Sequence, residues 1–327
     1  MTINEIAKMA GVSNAAVSRY LNGGSLSEEK RQRIRAVIEE TGYQPDTYAQ
    51  MLRTKKVRQI GVIVPKINSN AVSAVTAGIS SVLNKENYMF LLANTDNDEQ
   101  KELEYLNLFR ANRVAGVILL ATVITPQHEE VFANMNIPIV LVGQKHRKFP
   151  CVYHNDYDAP RELDDMIFDK GRKCVGYIGV TERDVAVGYL RKKALFDAAE
   201  AHGIPREDVH VVTGDFTMEA GYEGAKKLLQ ERPELDGIVC ATDTGAIGAI
   251  RAVKELGKRV PEDVSVTGIG DSWACEVMEP GLTTAHYYYE ESGIEAARML
   301  LAILDPKEPS PVRQTMLGYE IKERGSI

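Results

Sequence analysis

The first 58 residues form a basic, helix-patterned segment at the start of an acidic chain, and this pattern predicts a small helical domain of their own. They contain ten Lys/Arg and six Asp/Glu, whereas the whole chain of 327 residues has a formal net charge of −7. The residues from 59 onward therefore carry a net charge of −11. A basic segment attracts phosphate groups and an acidic body repels them. We therefore expect the two parts to have different partners.

Helix start and stop signals define two short helices at the N-terminus. Thr2 and Glu5 have the spacing of a capping box, which opens a helix. Gly11 suits the left-handed turn that ends this helix. Ser13 can then cap a second helix over residues 14–22. Two short helices joined by A-G-V-S predict a helix-turn-helix.

The second helix presents small or polar side chains outward, as does a helix that enters the major groove of DNA. These side chains are Asn14, Ala15, Ser18, Arg19 and Asn22. Arg19 is the best candidate for a bidentate contact with guanine, and Asn14 for a contact with adenine. Thr2 and Ser13, at helix N-termini, are predicted to hold phosphates. A generic three-helix subdomain, with a third helix over residues 28–41, would show the same spacing.

The amino-acid sequence of this segment resembles that of a known protein family. T-I-N-E-I-A-K-M-A-G-V-S-N-A-A-V-S-R-Y-L-N is similar to the headpiece of the lactose-repressor (LacI/GalR) family of bacterial transcription regulators. The resemblance continues through S-E-E-K-R-Q-R-I, T-G-Y-Q-P-D and M-L-R-T-K-K-V-R-Q-I-G-V-I-V-P, and then covers essentially the whole chain. It implies a regulator that binds double-stranded operator DNA sequence-specifically. We expect a homodimer on a near-palindromic operator, because two-fold symmetry doubles a small interface.

The resemblance also divides the N-terminal segment. Residues 1–45 are expected to be the helix-turn-helix headpiece, and residues 46–58 a hinge and linker that becomes helical on DNA. Such a short segment does not hold a helix alone in water. Ala49 is implied to lie close to the DNA. Leu52 is implied to be a minor-groove wedge that kinks the central base step, against the alternative of a plain linker leucine.

From residue 59 onward, apolar runs alternate with amphipathic helical patterns. Such alternation predicts α/β architecture with doubly wound parallel sheets. Eight predicted strands over this length favour two lobes. The strands are predicted over 59–64, 89–93, 116–121, 139–143, 175–180, 210–213, 237–241 and 265–268. Helices are predicted over 72–86, 99–110, 161–170, 190–202, 218–231 and 245–256.

Two such lobes facing a cleft resemble the type I periplasmic sugar-binding proteins, which form the family's regulatory core. By this resemblance residues 59–327 are an effector-binding and dimerisation core. The N-lobe is expected over about 59–158 plus 286–327, and the C-lobe over about 159–285. The chain is expected to return so that residues 291–304 pack on the N-lobe, and residues 312–321 to form a last strand. Ligands of open α/β sheets bind beyond the carboxyl ends of the strands.

Residues after the first strand are the first candidates for ligand contact. Many relatives have Asn-Pro-Phe-Phe here, but this chain has Ser69-Asn70-Ala71-Val72. Asn68 or Ser69 could contact the ligand or cap the next helix. Lys66 adds a positive charge beside a helix N-terminus, which suits a phosphate, or it is a solvated surface lysine.

The later candidates follow from the family's motifs. Asp156 and Asp158 could accept from sugar hydroxyls, and Tyr157 could stack. Arg191 stands at the family's R-x-x-G position and would offer donors to hydroxyls or a phosphate. Alternatively, it belongs to a surface face with Lys192 and Lys193.

Three more candidates come from a comparison with the family's sequence motifs. Phe216 lies where the family places an aromatic ring over the ligand, and a core residue is the alternative. Thr242 replaces a family Asn, and Asp243 is expected to cap the next helix. Gly270 stands where most relatives have the cleft aspartate, with Asp271 one place later.

The C-lobe wording, with Y-I-G-V-x-x-x-D-V, G-Y-E-x-x-x-K and C-A-T-D-T, resembles trehalose-type repressors most. This resemblance implies a sugar or sugar-phosphate effector such as trehalose or its 6-phosphate. Sucrose or another disaccharide stays open. So does the direction of the response, which is release from DNA or recruitment to it.

Other protein classes fit less well. The chain lacks a dinucleotide fingerprint, a P-loop, an H-E-x-x-H motif and a nucleophile elbow, so we expect no enzyme and no cofactor. Its four cysteines are scattered, which predicts neither a disulfide framework nor a metal site. An extracytoplasmic sugar carrier would predict a signal peptide and no headpiece. The longest apolar run is too short for a membrane span. We expect a cytoplasmic, nucleoid-associated protein.

Overall fold

The computed structural model describes residues 1–21, 23–43, 58–305 and 311–327. The chain divides into two compact units, Met1–Arg58 and Gln59–Ile327. Three residues predicted to contact DNA, Asn22, Ala49 and Leu52, lie outside the described residues. Nearly all of the predicted hinge over 46–58 also lies outside them.

Within residues 1–21 and 23–43, the first unit has three helices at the predicted places. They are α1 (Ile3–Met9), α2 (Asn14–Leu21) and α3 (Glu28–Thr41). Thr2 and Glu5 form the predicted reciprocal capping box, and Gly11 has a φ of +61°, a conformation that favours glycine. Fully buried Ile6, Val17 and Ile34, one from each helix, form the centre of the core. This apolar centre holds α1 and α2 in a helix-turn-helix.

The second unit contains two six-stranded sheets, as the predicted doubly wound architecture requires. The first sheet has the order β11-β5-β4-β3-β1-β2, and all its described pairs are parallel. Its strands are β1 (Gln59–Val64), β2 (Met89–Asn94), β3 (Gly116–Leu120), β4 (Ile139–Val142), β5 (Cys151–His154) and β11 (Gln314–Leu317). Strands β1, β3 and β4 are almost wholly buried. Burial on both faces of the sheet explains why these strands are continuous runs of apolar residues.

The second sheet has the order β12-β10-β9-β8-β6-β7. Its strands are β6 (Val175–Gly179), β7 (Val209–Thr213), β8 (Gly237–Cys240), β9 (Ser265–Gly270), β10 (Thr283–Tyr287) and β12 (Tyr319–Lys322). Among the described pairs of this sheet, only β12 and β10 run antiparallel to each other. Antiparallel strands are common at the edge of otherwise parallel sheets.

Helices cover the faces of both sheets. In chain order they are α4 (Asn70–Lys85), α5 (Glu99–Ala111), α6 (Pro126–Ala133), α7 (Asp158–Asp169), α8 (Arg191–Ala201), α9 (Met218–Glu231), α10 (Asp243–Glu255), α11 (Ala274–Val277) and α12 (Tyr289–Leu304). A π-helical turn over Val185–Leu190 leads into α8, and a 3₁₀ turn covers Arg206–Asp208. Within the described ranges, no helix combines the length and apolar character that crossing a membrane requires.

Helix α12 packs on the first sheet and on α4, as predicted. Two glycines allow the α4 and α12 backbones to approach closely. A Cβ on Gly78 would lie 2.0 Å from the carbonyl oxygen of Glu290, and one on Gly293 would lie 2.0 Å from that of Val75. Any larger residue would push the two helices apart.

The predicted last strand over residues 312–321 is wrong in one respect. It is two strands, β11 and β12, which belong to different sheets and meet at Gly318. The reason is that β5 and β10 offer edges of only four and five residues, so neither sheet can pair the whole segment. Residues 319–322 therefore pair within the second sheet, not within the N-lobe to which 286–327 was assigned.

Candidate functional site

A cavity of about 1080 Å³ lies in the second unit at the carboxyl ends of the strands. Segments that follow β1, β4 and β5 of the first sheet line one side, and segments that follow β6, β8 and β9 of the second sheet line the other. All eight predicted effector residues line it: Lys66, Asn68, Ser69, Asp156, Arg191, Phe216, Thr242 and Asp271. The topology thus brings together side chains that are as far as 205 positions apart in the sequence.

Three of the long helices that begin at this cavity have a hydroxyl cap. The Ser69 side chain accepts from the Val72 N–H at the start of α4 (3.5 Å). Thr217 and Thr242 do the same for α9 and α10. The partial positive ends of the three helices therefore face the same space. The prediction that Asp243 caps α10 is wrong, because Thr242 occupies the N-cap position.

Asp156 and Arg191 form a buried ion pair in the cavity wall. The guanidinium donates from Nε (2.8 Å) and Nη2 (2.5 Å) to the same oxygen, Oδ1 of Asp156. Nη1 donates to the carbonyl oxygen of Ala241 (2.5 Å). Three of the five N–H groups of Arg191 are thus engaged by the protein. Arg191 therefore lies in the cavity wall, and the alternative of a surface residue is wrong.

The charged neighbours of these residues face elsewhere. Lys192 pairs with Glu182, and Lys193 with Asp197. The Tyr157 hydroxyl donates to the same Asp197 (2.6 Å). Asp158 accepts at its side chain from the amide of Asn155 (2.7 Å). Neither Tyr157 nor Asp158 lines the cavity, so the structure does not bring them together with the other candidate residues.

The region of the shifted aspartate is a second polar network. Gly270 has a φ of +136°, and a Cβ there would lie 3.1 Å from Oδ2 of Asp243. An aspartate at position 270 would thus be strained and would face a carboxylate. Asp271 instead has its oxygens engaged by Arg324 Nη2 (2.7 Å) and by His286 Nδ1 (3.0 Å). Asp271 therefore has less hydrogen-bonding capacity left for a ligand.

Asp243 is buried beneath this network. It accepts from the Thr284 hydroxyl (2.6 Å) and the Ser272 N–H (2.8 Å). Burial raises its pKa, and these two hydrogen bonds oppose the rise. The Asp243 carboxylate therefore connects β10 to the segment after β9 through hydrogen bonds.

Several side chains in the cavity have no tight partner. Lys66 is half-buried, and no ion pair involves it among the described residues. Phe216 is half-buried and belongs to none of the described core clusters, so the alternative of a core residue is wrong. Trp273 is exposed at the rim. The wall thus combines a free cation with aromatic surface.

Three further polar residues of the wall were not predicted. Gln144 Nε2 donates to Oδ1 of Asp184 (2.7 Å), and burial raises the pKa of Asp184 to about 6. His154 stacks on Tyr287 at 4.8 Å, and burial lowers its pKa to about 4, so its ring is neutral at pH 7. The position of Asp184 before a helical pattern was a usable signal, since its carboxylate accepts from the Val187 N–H (3.0 Å). Gln144 and His154 carried no such signal.

In the first unit, α2 presents the predicted polar face. Asn14, Ala15 and Arg19 are exposed, and Ser18 is half-buried. Arg19 forms no ion pair within residues 1–21 and 23–43, so its guanidinium is free there. The amide of Asn14 donates to Oδ1 of Asn4 in α1. The Ser13 hydroxyl accepts from the Ala16 N–H (3.3 Å), which leaves it able to donate outward.

Comparison with known proteins agrees with both units. A sequence model described as bacterial regulatory proteins, lacI family, matches residues 2–46, and one described as a periplasmic binding protein-like domain matches residues 165–327. The sucrose operon repressor of Staphylococcus xylosus is 37% identical over 291 residues, which cover 89% of this chain and 90% of that protein. The HTH-type transcriptional regulator RegA of Clostridium saccharobutylicum is 30% identical, over 99% of this chain and 98% of RegA.

Among solved structures, the lac repressor dimer bound to operator and the anti-inducer ONPF is similar, with a TM-score of 0.89. The likeness covers 100% of this chain and 98% of that one at 23% sequence identity. At this identity the match establishes the shared fold.

Proposed function

This chain belongs to the lacI family of bacterial regulatory proteins, and from that premise we propose that a sugar or sugar phosphate bound in the cavity controls its repression of carbohydrate-utilisation genes. As a family member it is a DNA-binding transcriptional regulator and not an enzyme. We place it in the cytoplasm with the nucleoid, where its operator is. An extracytoplasmic sugar carrier would share the two-sheet body but would leave the headpiece without a function.

The observation that carries the DNA-binding role is the exposed polar face of α2 on a closed apolar core. Arg19 is unpaired and long enough to reach a guanine edge, and its fork suits bidentate contact. Asn14 is proposed to read adenine, beside Ala15, Ser18 and Asn22. Thr2 and Ser13 are proposed to hold phosphates.

Operator binding tests this assignment. The wild-type protein would be used to enrich its preferred sites from a random DNA library. Arg19→Ala should then weaken binding to these sites by about 1–3 kcal/mol and relax the base preference at one position. Arg19→Lys is the matched control, because it keeps the charge but loses the fork. If both variants kept the wild-type base preference, Arg19 would be a phosphate contact only.

The hinge completes the DNA-binding proposal on family resemblance alone. Residues 46–58 are proposed to become helical on the operator, with Ala49 near the DNA and Leu52 inserted at the central base step. Leu52→Ala should reduce both operator affinity and the bend angle, since insertion gains contact surface by unstacking the step. A bend angle unchanged in Leu52→Ala would remove the wedge.

For the effector, the supporting observation is the mixture of aromatic and donor groups in the cavity. Phe216 and Trp273 offer apolar faces for sugar rings. Lys66 and the N-terminus of α4 together suit a phosphate. We propose a disaccharide of the sucrose or trehalose type, and the sucrose operon repressor of Staphylococcus xylosus supports the first. The remaining proposed contacts are Asn68, Ser69, Asp156, Arg191, Thr242 and Asp271.

A thermal-shift series distinguishes these sugars. Ligand that binds only the folded protein raises its stability with the logarithm of concentration. Sucrose, trehalose and their 6-phosphates would be compared on the wild-type protein and on Lys66→Ala. Loss of the shift in Lys66→Ala for the phosphorylated sugars alone would support the phosphate subsite. An equal shift for all four sugars in both proteins would contradict it.

The ion pair changes how Arg191 can be tested. Arg191→Ala would leave the Asp156 carboxylate buried without its cation, which is costly in itself. Its effect on the sugar response would therefore mix ligand contact with loss of stability. The double variant Asp156→Asn/Arg191→Gln removes both charges at once and is the better probe. A retained sugar response in this double variant, at a melting temperature equal to wild type, would show that the pair does not contact the effector.

We propose a homodimer that reads a near-palindromic operator. Strand β2 is one edge of the first sheet, and β7 is one edge of the second. Both carry exposed apolar side chains, namely Met89, Leu91, Leu92 and Val211. Exposed apolar edge strands favour association. Light scattering at micromolar concentration should give the dimer mass, and a stable monomer would contradict the proposal.

A further inference from the structure

We call the parts of the second unit that are built on the first and second sheets the first and second lobes. One short loop of the second lobe forms hydrogen bonds or ion pairs with the first lobe at two points. Asp184, in the loop after β6, accepts from the amide of Gln144, which follows β4 (2.7 Å). Its neighbour Arg183 pairs with Glu99 at the start of α5 through two contacts, 2.7 Å and 2.8 Å. The two partners in the first lobe are 45 positions apart in the sequence. The loop over residues 181–184 therefore bridges the lobes at one rim of the cavity.

The two bonds differ in their surroundings. The Arg183 side chain is 61% exposed, and exposed ion pairs contribute little because solvent screens them. Gln144 and Asp184 are 6% and 2% exposed. A buried donor or acceptor that loses its partner costs more than an exposed one. The bond from Gln144 to Asp184 is therefore the stronger of the two connections.

The acceptor is held in place by its own loop. The Val187 N–H donates to the same oxygen of Asp184 (3.0 Å). A Cβ on Gly188 would lie 2.0 Å from the carbonyl oxygen of Thr181, so the loop packs directly on the π-helical turn. The carboxylate thus has a fixed position before the other lobe reaches it. Such preorganisation reduces the entropy lost when the bond forms.

We propose that Asp184 is a positioning residue that latches the two lobes through Gln144 and so sets how readily the cavity closes. The latch holds the lobes together through this buried bond. The link to regulation rests on the function proposed above, in which the effector binds in this cavity. An effector that binds the closed form better then gains from the latch.

Distances between the lobes test the latch without any ligand. Nitroxides would be attached to the full-length protein at Glu104→Cys in the first lobe and Glu200→Cys in the second, in a Cys174→Ser background. Gln144→Ala and Asp184→Ala should each shift the distance distribution toward longer values, with the closed population reduced about tenfold. Tenfold corresponds to about 1.4 kcal/mol, within the range for a bond to a charged group. An unchanged distribution in both variants would overturn the proposal.

Two further variants separate the latch from a general loss of structure. Asp184→Asn keeps an acceptor for both N–H donors and should keep the wild-type distances. Gln144→Glu places two carboxylates together, so the lobes should open at pH 8 and close again at pH 5, where one of them is protonated. Val187 N–H, Arg191 and Asp156 also face Asp184, and they are the same in every variant. Opening of Gln144→Glu to the same extent at both pH values would contradict the latch.

A variant of the exposed ion pair and the addition of two sugars provide the remaining controls. Arg183→Ala removes only the exposed pair and should leave the distances near those of the wild type. Sucrose and trehalose would be added to the labelled wild-type protein and to labelled Asp184→Ala. If Asp184→Ala opens the lobes and neither sugar closes them again, the latch stands and the proposed effector is wrong. If Arg183→Ala opens the lobes as far as Asp184→Ala, the buried bond is not the latch.

Discussion

Asp164 in α7 should make the protein less stable as the pH rises toward neutrality. Its side chain is fully buried, and neither carboxyl oxygen has a hydrogen-bond partner among the described residues. Burial raises its pKa well above the usual range, and the charge of Asp165 adds to the rise, while Arg161 opposes it. The folded protein therefore keeps the Asp164 proton at a pH where the unfolded chain has lost it.

The size of the effect follows from the proton count. An aspartate in the unfolded chain loses its proton near pH 4. Above that pH the folded state holds one proton more, so the free energy of unfolding falls by about 1.4 kcal/mol for each pH unit. The fall ends at the folded pKa of Asp164.

Asp164→Asn has nearly the same shape but cannot ionise. Relative to wild type, its free energy of unfolding should therefore rise by about 1.4 kcal/mol for each pH unit above pH 5, as far as the folded pKa of Asp164. Urea unfolding at pH 5, 6 and 7, followed by circular dichroism, measures the difference. Asp215→Asn, at an exposed position outside the helix, is the control and should show no such trend. A pH-independent difference for Asp164→Asn would mean that the folded protein ionises Asp164, and the reasoning would be refuted.

Three substitutions test other features of the second unit by thermal unfolding. Gly78→Ala should cost about 1–3 kcal/mol because its Cβ would meet the α12 backbone, whereas Gly245→Ala, with its nearest neighbour at 3.6 Å, should be tolerated. Thr217→Ala should cost about 1 kcal/mol through loss of the α9 cap, and Thr217→Ser should restore it. Gly270→Asp should lower the melting temperature, since the new side chain meets the Asp243 carboxylate at a backbone that favours glycine; a melting temperature equal to wild type would contradict this.

The sequence predicts the regular elements well because their signals are local. The capping box at Thr2, the left-handed Gly11 and the apolar strand over 59–64 each depend on a few neighbouring residues. The four-residue strand β5 was missed because it is too short for a periodic pattern to stand out. The division at Gly318 depends on the edges that the two sheets offer, and no local signal contains that information.

The positions of the candidate cavity residues were predictable, but their bonds were not. Motifs and strand ends located Asp156 and Arg191, because ligands collect beyond the strands of open α/β sheets. That the two residues bind each other, 35 positions apart, depends on how α7 and α8 pack on the second sheet. The same is true of Gln144 and Asp184, which come from different sheets.

The bonds already made within the cavity determine what it can still offer a ligand. Both oxygens of Asp271 and three donors of Arg191 are engaged by the protein. Among the described residues no hydrogen bond or ion pair engages the Lys66 ammonium, and the Ser69 and Thr242 hydroxyls can still donate while they cap their helices. The capacity that remains near α4 is therefore mostly that of donors. Donors match the oxygen atoms of a sugar, and a cation beside a helix N-terminus matches a phosphate better than a neutral hydroxyl. On this argument the phosphorylated disaccharides should bind more tightly than the free sugars, and the difference should depend on Lys66.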